Sequence, residues 1–251
     1  MEFVERVGQN VRIMEDEKYD KRARTRELAA EFVDRGEPLG WFEALYKEAA
    51  GDNGKIPWAD LEPNRFFREW AEKNKLKGEG RKALVVGCGL GDDAVYLDDL
   101  GFEVTGFDIS ETAIEWARKL HKDRDITFEV ADLFDPPSEW TYSGGNPLAD
   151  AGGSDFVLEV YTIQPLPLEM RERTIDAIAS FVAPGGELVV VTRGREDDEE
   201  VVKVPWPLSR KDLSRFEANG LVEESFDVMP DKTDDEPADR FVVVYRRNPT
   251  V

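Results

Sequence analysis

Three glycines at alternate positions, Gly87, Gly89 and Gly91, follow the apolar run 83–86 and precede a pair of acids, Asp92 and Asp93. The run reads as a strand covered on both faces, and the segment from Asp92 to about Leu100 has helical character, so the glycines form the turn between strand and helix. Glycine permits positive φ and carries no Cβ, so a turn of this kind offers bare backbone to a small ligand. Residues 104–108 read as a second strand ending in an acid, Asp108. An acid placed about 20 residues beyond the first glycine can accept hydrogen bonds from both hydroxyls of a ribose. Its alternative role, capping the next helix, falls more naturally to Ser110. Two further groups stand at later strand ends: Asp132 after 126–130, and Glu159 with Tyr161 in the run 154–161.

A glycine turn after a strand suits either a dinucleotide or S-adenosylmethionine, and the acids beside it discriminate between them. The dinucleotide fingerprint wants a third small residue where this chain has Asp92. Asp92 and Asp93 suit the positive end of a helix dipole but repel a pyrophosphate. A cationic, phosphate-free adenosyl compound is compatible with both. A nicotinamide-dependent reductase is therefore the weaker enzyme reading, and the stretch after the fourth strand also has no Tyr-x-x-x-Lys pair. A non-catalytic module that binds S-adenosylmethionine is a third reading, distinguished by the absence of turnover.

The elements that must position these groups follow in order. Residues 1–39 are charged, and 21–33 read as an amphipathic helix showing Leu28, Phe32 and Val33 to the body. Trp41 and Trp58 lie in aromatic segments ahead of the first core strand, where indoles either plug a core or wall a ligand site. A helix is predicted over 65–76, and another begins at Ser110 and ends near His121, the only histidine. That helix end faces away from the carboxyl ends of the strands, where ligands bind in such folds, so neither a catalytic histidine nor a metal site is expected. Asp132 either accepts from an adenine amino group, with Leu133 covering the ring, or forms a turn. Residues 135–153 read as a surface loop, 168–181 as a helix stopped by Pro184, Gly185 and Gly186, and 187–192 as the fifth strand. The connection 193–206 is either a lid over the methyl acceptor or, in its first half, a solvated acidic loop. Ser209 and Asp212 look like a capping box for a helix closing near Gly220. Strands 222–228 and 241–246 are expected to pair as a terminal hairpin across an acidic, proline-containing loop.

This alternation predicts an α/β fold: a Rossmann-like, doubly wound seven-stranded sheet with a C-terminal antiparallel hairpin and an N-terminal helical cap. With 251 residues and 41% hydrophobic content, one domain is expected over 1–251, its cap in 1–76 and its core in 77–251. A formal charge of -21 opposes binding to nucleic acid or to an anionic membrane surface. No apolar run reaches membrane-spanning length and the N-terminus lacks a signal-peptide core, so a cytoplasmic protein is expected, consistent with its lone cysteine, Cys88. Monomer and homodimer both remain open.

The glycine loop, Asp108 and Asp132 at successive strand ends resemble the class I S-adenosylmethionine-dependent methyltransferases. Gly40-Trp41, Ile56-Pro57-Trp58 and the Val85–Asp92 loop are more narrowly similar to the thiopurine, halide and thiol methyltransferase group. The likeness runs from about Gly40 to the C-terminus. It implies that Trp41 and Trp58 pack against S-adenosylmethionine and that the backbone of Gly87, Cys88 and Gly89 holds its methionine portion. It further implies that Asp108 with Ile109 binds the ribose, Asp132 with Leu133 the adenine, and that Glu159 lies near the methionine end. The chain departs from the group at Leu45-Tyr46, where many members carry a second tryptophan, and in the fourth strand, 156–161. The implied reaction is direct transfer of a sulfonium methyl to a small nucleophile, a thiol, chalcogen or halide, with O- and N-acceptors as the alternative. Where a proton must be removed, Glu159 and Tyr161 are the candidates.

Overall fold

The computed structural model describes residues 21–142, 152–201, 204–232 and 238–249. It divides into two compact units, Met1–Asp60 and Leu61–Val251. Residues 1–20, the middle of the expected 135–153 loop (143–151), and 233–237 of the hairpin connection lie outside the described residues.

The first unit contains helix α1 (21–34), which starts at the first described residue, and α2 (Gly40–Ala49). Leu28 and Ala29 are buried in this unit, together with Trp41, Leu45, Tyr46 and Ile56.

The second unit is a seven-stranded sheet in the order β3-β2-β1-β4-β5-β7-β6. Strands β1 (Lys82–Val86), β2 (Glu103–Asp108), β3 (Ile126–Val130), β4 (Ser154–Val160) and β5 (Val182–Arg193) pair in parallel. Strands β6 (Leu221–Asp231) and β7 (Ala238–Arg247) form the expected hairpin, and β7 enters antiparallel between β5 and β6. The central strands are apolar on both faces because helices cover both. On one face, Phe66, Phe67 and Trp70 of α3 (Arg65–Asn74) pack with residues of α4 (Asp92–Asp99) and α5 (Glu111–Leu120) against Val85, Phe156, Val191 and Val242. Helix α3 thus lies in the second unit as part of the layer over the sheet. The strand residues of opposite parity, such as Phe107 and Tyr245, meet Phe181 after α6 (Arg171–Ser180) and Phe216 of α8 (Arg215–Ala218). The short α7 (Arg210–Leu213) begins with the capping box of Ser209 and Asp212.

Strand β1 has β2 on one side and β4 on the other, so the chain winds outward in one direction through β3 and then in the other through β5. The crevice for a ligand lies at that reversal, at the carboxyl ends of β1 and β4. In register there, Val86 sits beside Glu159.

Candidate active site

The turn after β1 is folded back tightly on its neighbours. The amide of Cys88 donates to the Phe107 carbonyl at 2.8 Å, and that of Gly91 donates to the Cys88 carbonyl at 2.9 Å. Gly87 has φ +59°, and a Cβ there would come within 2.6 Å of Thr162 Oγ1 and 2.8 Å of its methyl. Thr162 is itself tied down, its hydroxyl donating to the Val86 carbonyl at 2.9 Å. The loops following β1 and β4 are therefore joined, and any side chain at position 87 would separate them. Cys88 turns its side chain inward against Gly106 of β2, where a Cβ would stand 3.1 Å from the sulfur. Burial pushes this thiol well above its ordinary range, with the Asp108 charge acting the same way, so it stays neutral.

Asp108 ends β2 almost buried, with 8% of its surface exposed. Its Oδ2 accepts from the Gly89 amide at 3.0 Å and its Oδ1 from the Ser110 amide at 2.9 Å. These bonds fix the carboxylate plane against the glycine turn. Ser110 caps α5 by accepting from Ala113 N at 3.0 Å, which leaves Asp108 for the turn. Ile109 lies between them. One strand further, Asp132 forms the turn allowed for in its sequence, with Oδ1 accepting from Phe134 N at 2.8 Å beside a buried Leu133. His121 was expected to face away from this end, yet its Nε2 lies 2.9 Å from the Leu90 carbonyl in the glycine turn. The ring reaches back from the helix end and supports the loop from behind.

Glu159, at the end of β4, has no exposed surface. Its Oε1 accepts from the amides of Thr162 and Ile163 at 2.6 and 3.0 Å, while its Oε2 is buried with no hydrogen-bond partner among the described residues. Burial pushes the carboxyl up to about 7 despite the two amides. A buried carboxylate oxygen left unsatisfied is costly unless a donor or cation arrives. Glu159 stands in register beside Val86, at the head of the glycine turn. Asp93, in the first turn of α4, is partly buried, and desolvation raises its carboxyl to about 7 although its Oδ1 accepts from Asn64 N at 2.7 Å.

A second cluster lies on the β5 side of Glu159. Tyr161 adopts φ +60°, a left-handed conformation uncommon for a bulky residue. Its phenolic oxygen accepts from Arg240 Nε at 3.1 Å. Arg240, at the start of β7, is 3% exposed and pairs with Asp231 of β6 at 2.9 Å. Asp231 also pairs with Arg65 at 2.9 Å. Asn64 caps α3 by accepting from the amides of Phe66 and Phe67. Of this cluster only Tyr161 stood out in the sequence. The one sequence signal for Arg240 was its place just ahead of the strand expected over 241–246.

The 193–206 connection divides as the sequence allowed. Residues 196–200 are exposed acids, wrapped around Arg195, whose guanidinium donates to the carbonyls of Glu196, Asp197 and Glu199. Its far half is pinned: Trp206 N donates to the Gln164 carbonyl at 2.8 Å, and buried Arg171 donates to the Trp206 carbonyl and to Asp212. Within the first unit, Trp41 stacks on Phe42 at 3.9 Å between ring centres and meets the edge of Trp58 at 6.1 Å. Trp58 donates from its indole to the Tyr46 hydroxyl at 2.9 Å, whereas the Trp41 indole nitrogen is buried without a partner. Tyr46, one of the departures noted in the sequence, thus anchors Trp58.

Among the described residues, no group of three or more His, Cys, Asp or Glu side chains could hold a metal ion, and no helix is long and apolar enough to cross a membrane.

Residues 59–224 match a family described as a methyltransferase domain. A 2-heptyl-1-hydroxyquinolin-4(1H)-one methyltransferase from Mycobacteroides abscessus is 26% identical over 177 residues, spanning 68% of this chain and 72% of its own. A probable thiol methyltransferase from Arabidopsis thaliana is 26% identical over 227 residues, spanning 83% of this chain and 87% of its own. Among solved structures, the N-methyltransferase NodS from Bradyrhizobium japonicum, in complex with S-adenosyl-l-homocysteine, shares the fold. It has a TM-score of 0.58 at 20% identity, covering 82% of this chain and 97% of its own.

Proposed function

Because the chain belongs to the methyltransferase-domain family and is an S-adenosylmethionine-dependent methyltransferase, we propose that its acceptor is a small molecule presenting a thiol, another chalcogen or a halide. The bound donor supplies a methyl group on a sulfonium, and the C–S bond breaks, its electron pair staying on sulfur, as the bond from methyl to the acceptor forms.

The observation that carries the donor side is the unpartnered Oε2 of Glu159 beside the glycine turn. In this reading it holds the ammonium of the donor, and the backbone of Gly87, Cys88 and Gly89 holds the methionine portion. Asp108 grips the ribose with Ile109 alongside, and Asp132 with Leu133 meets the adenine. These groups bind, orient and exclude water. Alignment of two reactants can by itself lower a barrier by about 7 kcal/mol or more. No strong base is then needed for a soft anion, which agrees with a site whose only histidine supports the loop from behind. Family membership sets aside the reductase reading, and the acidic charge favours a small acceptor over a polynucleotide.

The thiol reading is supported by the likeness to the plant enzyme named for thiols and by Gly40-Trp41 and Ile56-Pro57-Trp58. An O- or N-acceptor is the second reading, favoured by the relative named for a 1-hydroxyquinolone. The test is production of S-adenosylhomocysteine across thiols, selenols, iodide, phenols and 1-hydroxyquinolones. Turnover confined to the last two would overturn the first reading in favour of the second.

A further inference from the structure

We infer that Tyr161 serves as a fixed hydrogen-bond donor that seats the methyl acceptor as an anion, with Arg240 as the residue that positions its hydroxyl. This rests on the proposed donor site and names the ionisation state of what binds next to it.

The argument starts with placement. Tyr161 follows β4 directly, one residue beyond Val160, and its hydroxyl is met by a residue at the start of β7. Because β7 runs antiparallel to β5, with Arg240 opposite Arg193, its first residues lie at the carboxyl end of β5. Tyr161 therefore spans the ligand end of the sheet from the donor crevice toward β7, on the side away from the ribose-binding acid of β2. The left-handed backbone at this position would suit glycine better, and strain of that kind gathers at functional sites. A tyrosine held there keeps a side chain that the backbone alone would not select.

The hydrogen-bond inventory then fixes the direction of the hydroxyl. A phenol oxygen accepts and also has one hydrogen to give. Arg240 Nε is a donor with no accepting capacity. With that donor on the oxygen, the phenolic hydrogen is left to be given to a ligand. Burial raises the phenol above its ordinary range, and Asp231 adds to this, while Arg240 and Asn64 oppose it; the group stays protonated at neutral pH. The charged groups around it are Arg240, Asp231 and, through Asp231, Arg65. A neutral phenol polarised by a guanidinium is a strong donor and a poor base, so the role that fits Tyr161 is to hold a thiolate or a comparable anion.

The step balances without a base in the protein. The acceptor loses its proton to solvent before it binds, and its lone pair forms the new bond to methyl. The electron pair of the broken C–S bond remains on sulfur, so one cation and one anion become two neutral products.

The experiment uses 4-nitrothiophenol, whose anion absorbs visible light and whose neutral thiol does not, bound to the full chain saturated with S-adenosylhomocysteine. Absorbance followed against pH then reports ionisation of the bound thiol without turnover. The thiol is expected to ionise at lower pH when bound than when free. In Tyr161→Phe this shift should shrink and thiolate affinity should fall about tenfold, the weight of one hydrogen bond to a charged group. S-adenosylhomocysteine affinity, measured by calorimetry, should remain unchanged. An unshifted ionisation in the parent enzyme, or equal thiolate affinity in Tyr161→Phe, would overturn the inference. Failure of the parent enzyme to bind S-adenosylhomocysteine would instead remove the donor reading beneath it, and the inference with it.

Discussion

The two ends of the crevice are made from different material. On the β1–β3 side the chain presents main chain: amides of the glycine turn, and a carboxylate oriented by the Gly89 and Ser110 amides. On the β4–β7 side it presents long side chains, a phenol and guanidinium groups anchored to the buried Asp231. Backbone that must touch its ligand is intolerant of any added atom, so the first side suits one invariant partner. Side chains reached from separate strands can be exchanged one at a time, so the second side suits an acceptor that differs between relatives.

If that contrast holds, changes on the first side should move donor binding and leave acceptor binding alone, and the reverse should hold on the second. The largest effect is expected from Asp108→Ala, which removes the proposed ribose acceptor and strands the Gly89 and Ser110 amides. Calorimetry should show S-adenosylhomocysteine affinity lowered about a hundredfold, the weight of two hydrogen bonds to a charge. Undiminished affinity would break the comparison at its strongest point. Gly87→Ala should come next, since a Cβ meets Thr162 and the residue must hold positive φ. A thermal melt should show a loss of about 1–3 kcal/mol. Adding Thr162→Ala should recover the steric part and leave the backbone part.

Glu159→Gln tests the charge itself. The carboxyl is raised from its ordinary 4.5 to about 7 in the folded chain, so the folded state holds its proton more tightly than the unfolded one. Stability without ligand is then greatest below 4.5 and declines as pH rises to about 7; Asp93 adds a decline of the same sign. Glu159→Gln should flatten the part due to Glu159 and melt higher than the parent at pH 8. An ammonium favours the ionised carboxylate, so S-adenosylhomocysteine should bind the parent more tightly at pH 8 than at pH 6 and release a proton on binding. The variant should lose that pH dependence and bind about tenfold more weakly at pH 8. The smallest effect is expected from Cys88→Ala. The thiol lies behind the turn, so donor affinity should not change, and a loss there would mean that the side chain and not only the main chain meets the ligand.

The first side was legible in the sequence because its determinants are local. Gly89 and Asp108 are 19 positions apart, and strand-turn-helix punctuation alone brings them together. The second side was not, because Arg240 meets Tyr161 across 79 positions and Arg65 meets Asp231 across 166. Spacing along a chain carries no signal at such separations. Strand limits failed for a related reason. Pro184, Gly185 and Gly186 read as a terminator, yet β5 already begins at Val182, where it pairs with Ser154 before a register shift. Pairing with a neighbouring strand overrode the local preference of those residues. His121 was misplaced because the direction of a helix end was taken for the direction of its last side chain, and the ring extends back to Leu90.

The place of β7 between β5 and β6 has a consequence for assembly. The main-chain groups along that side of β5, and those along the facing side of β6, find partners only after residues 238–247 have been made. Until then the growing chain carries two unsatisfied strand edges, the open templates through which proteins add foreign strands. A ribosome-bound chain stopped before Ala238 should therefore have its glycine turn and Asp108 already encoded, lack Arg240, and be the form most prone to clump with its own kind.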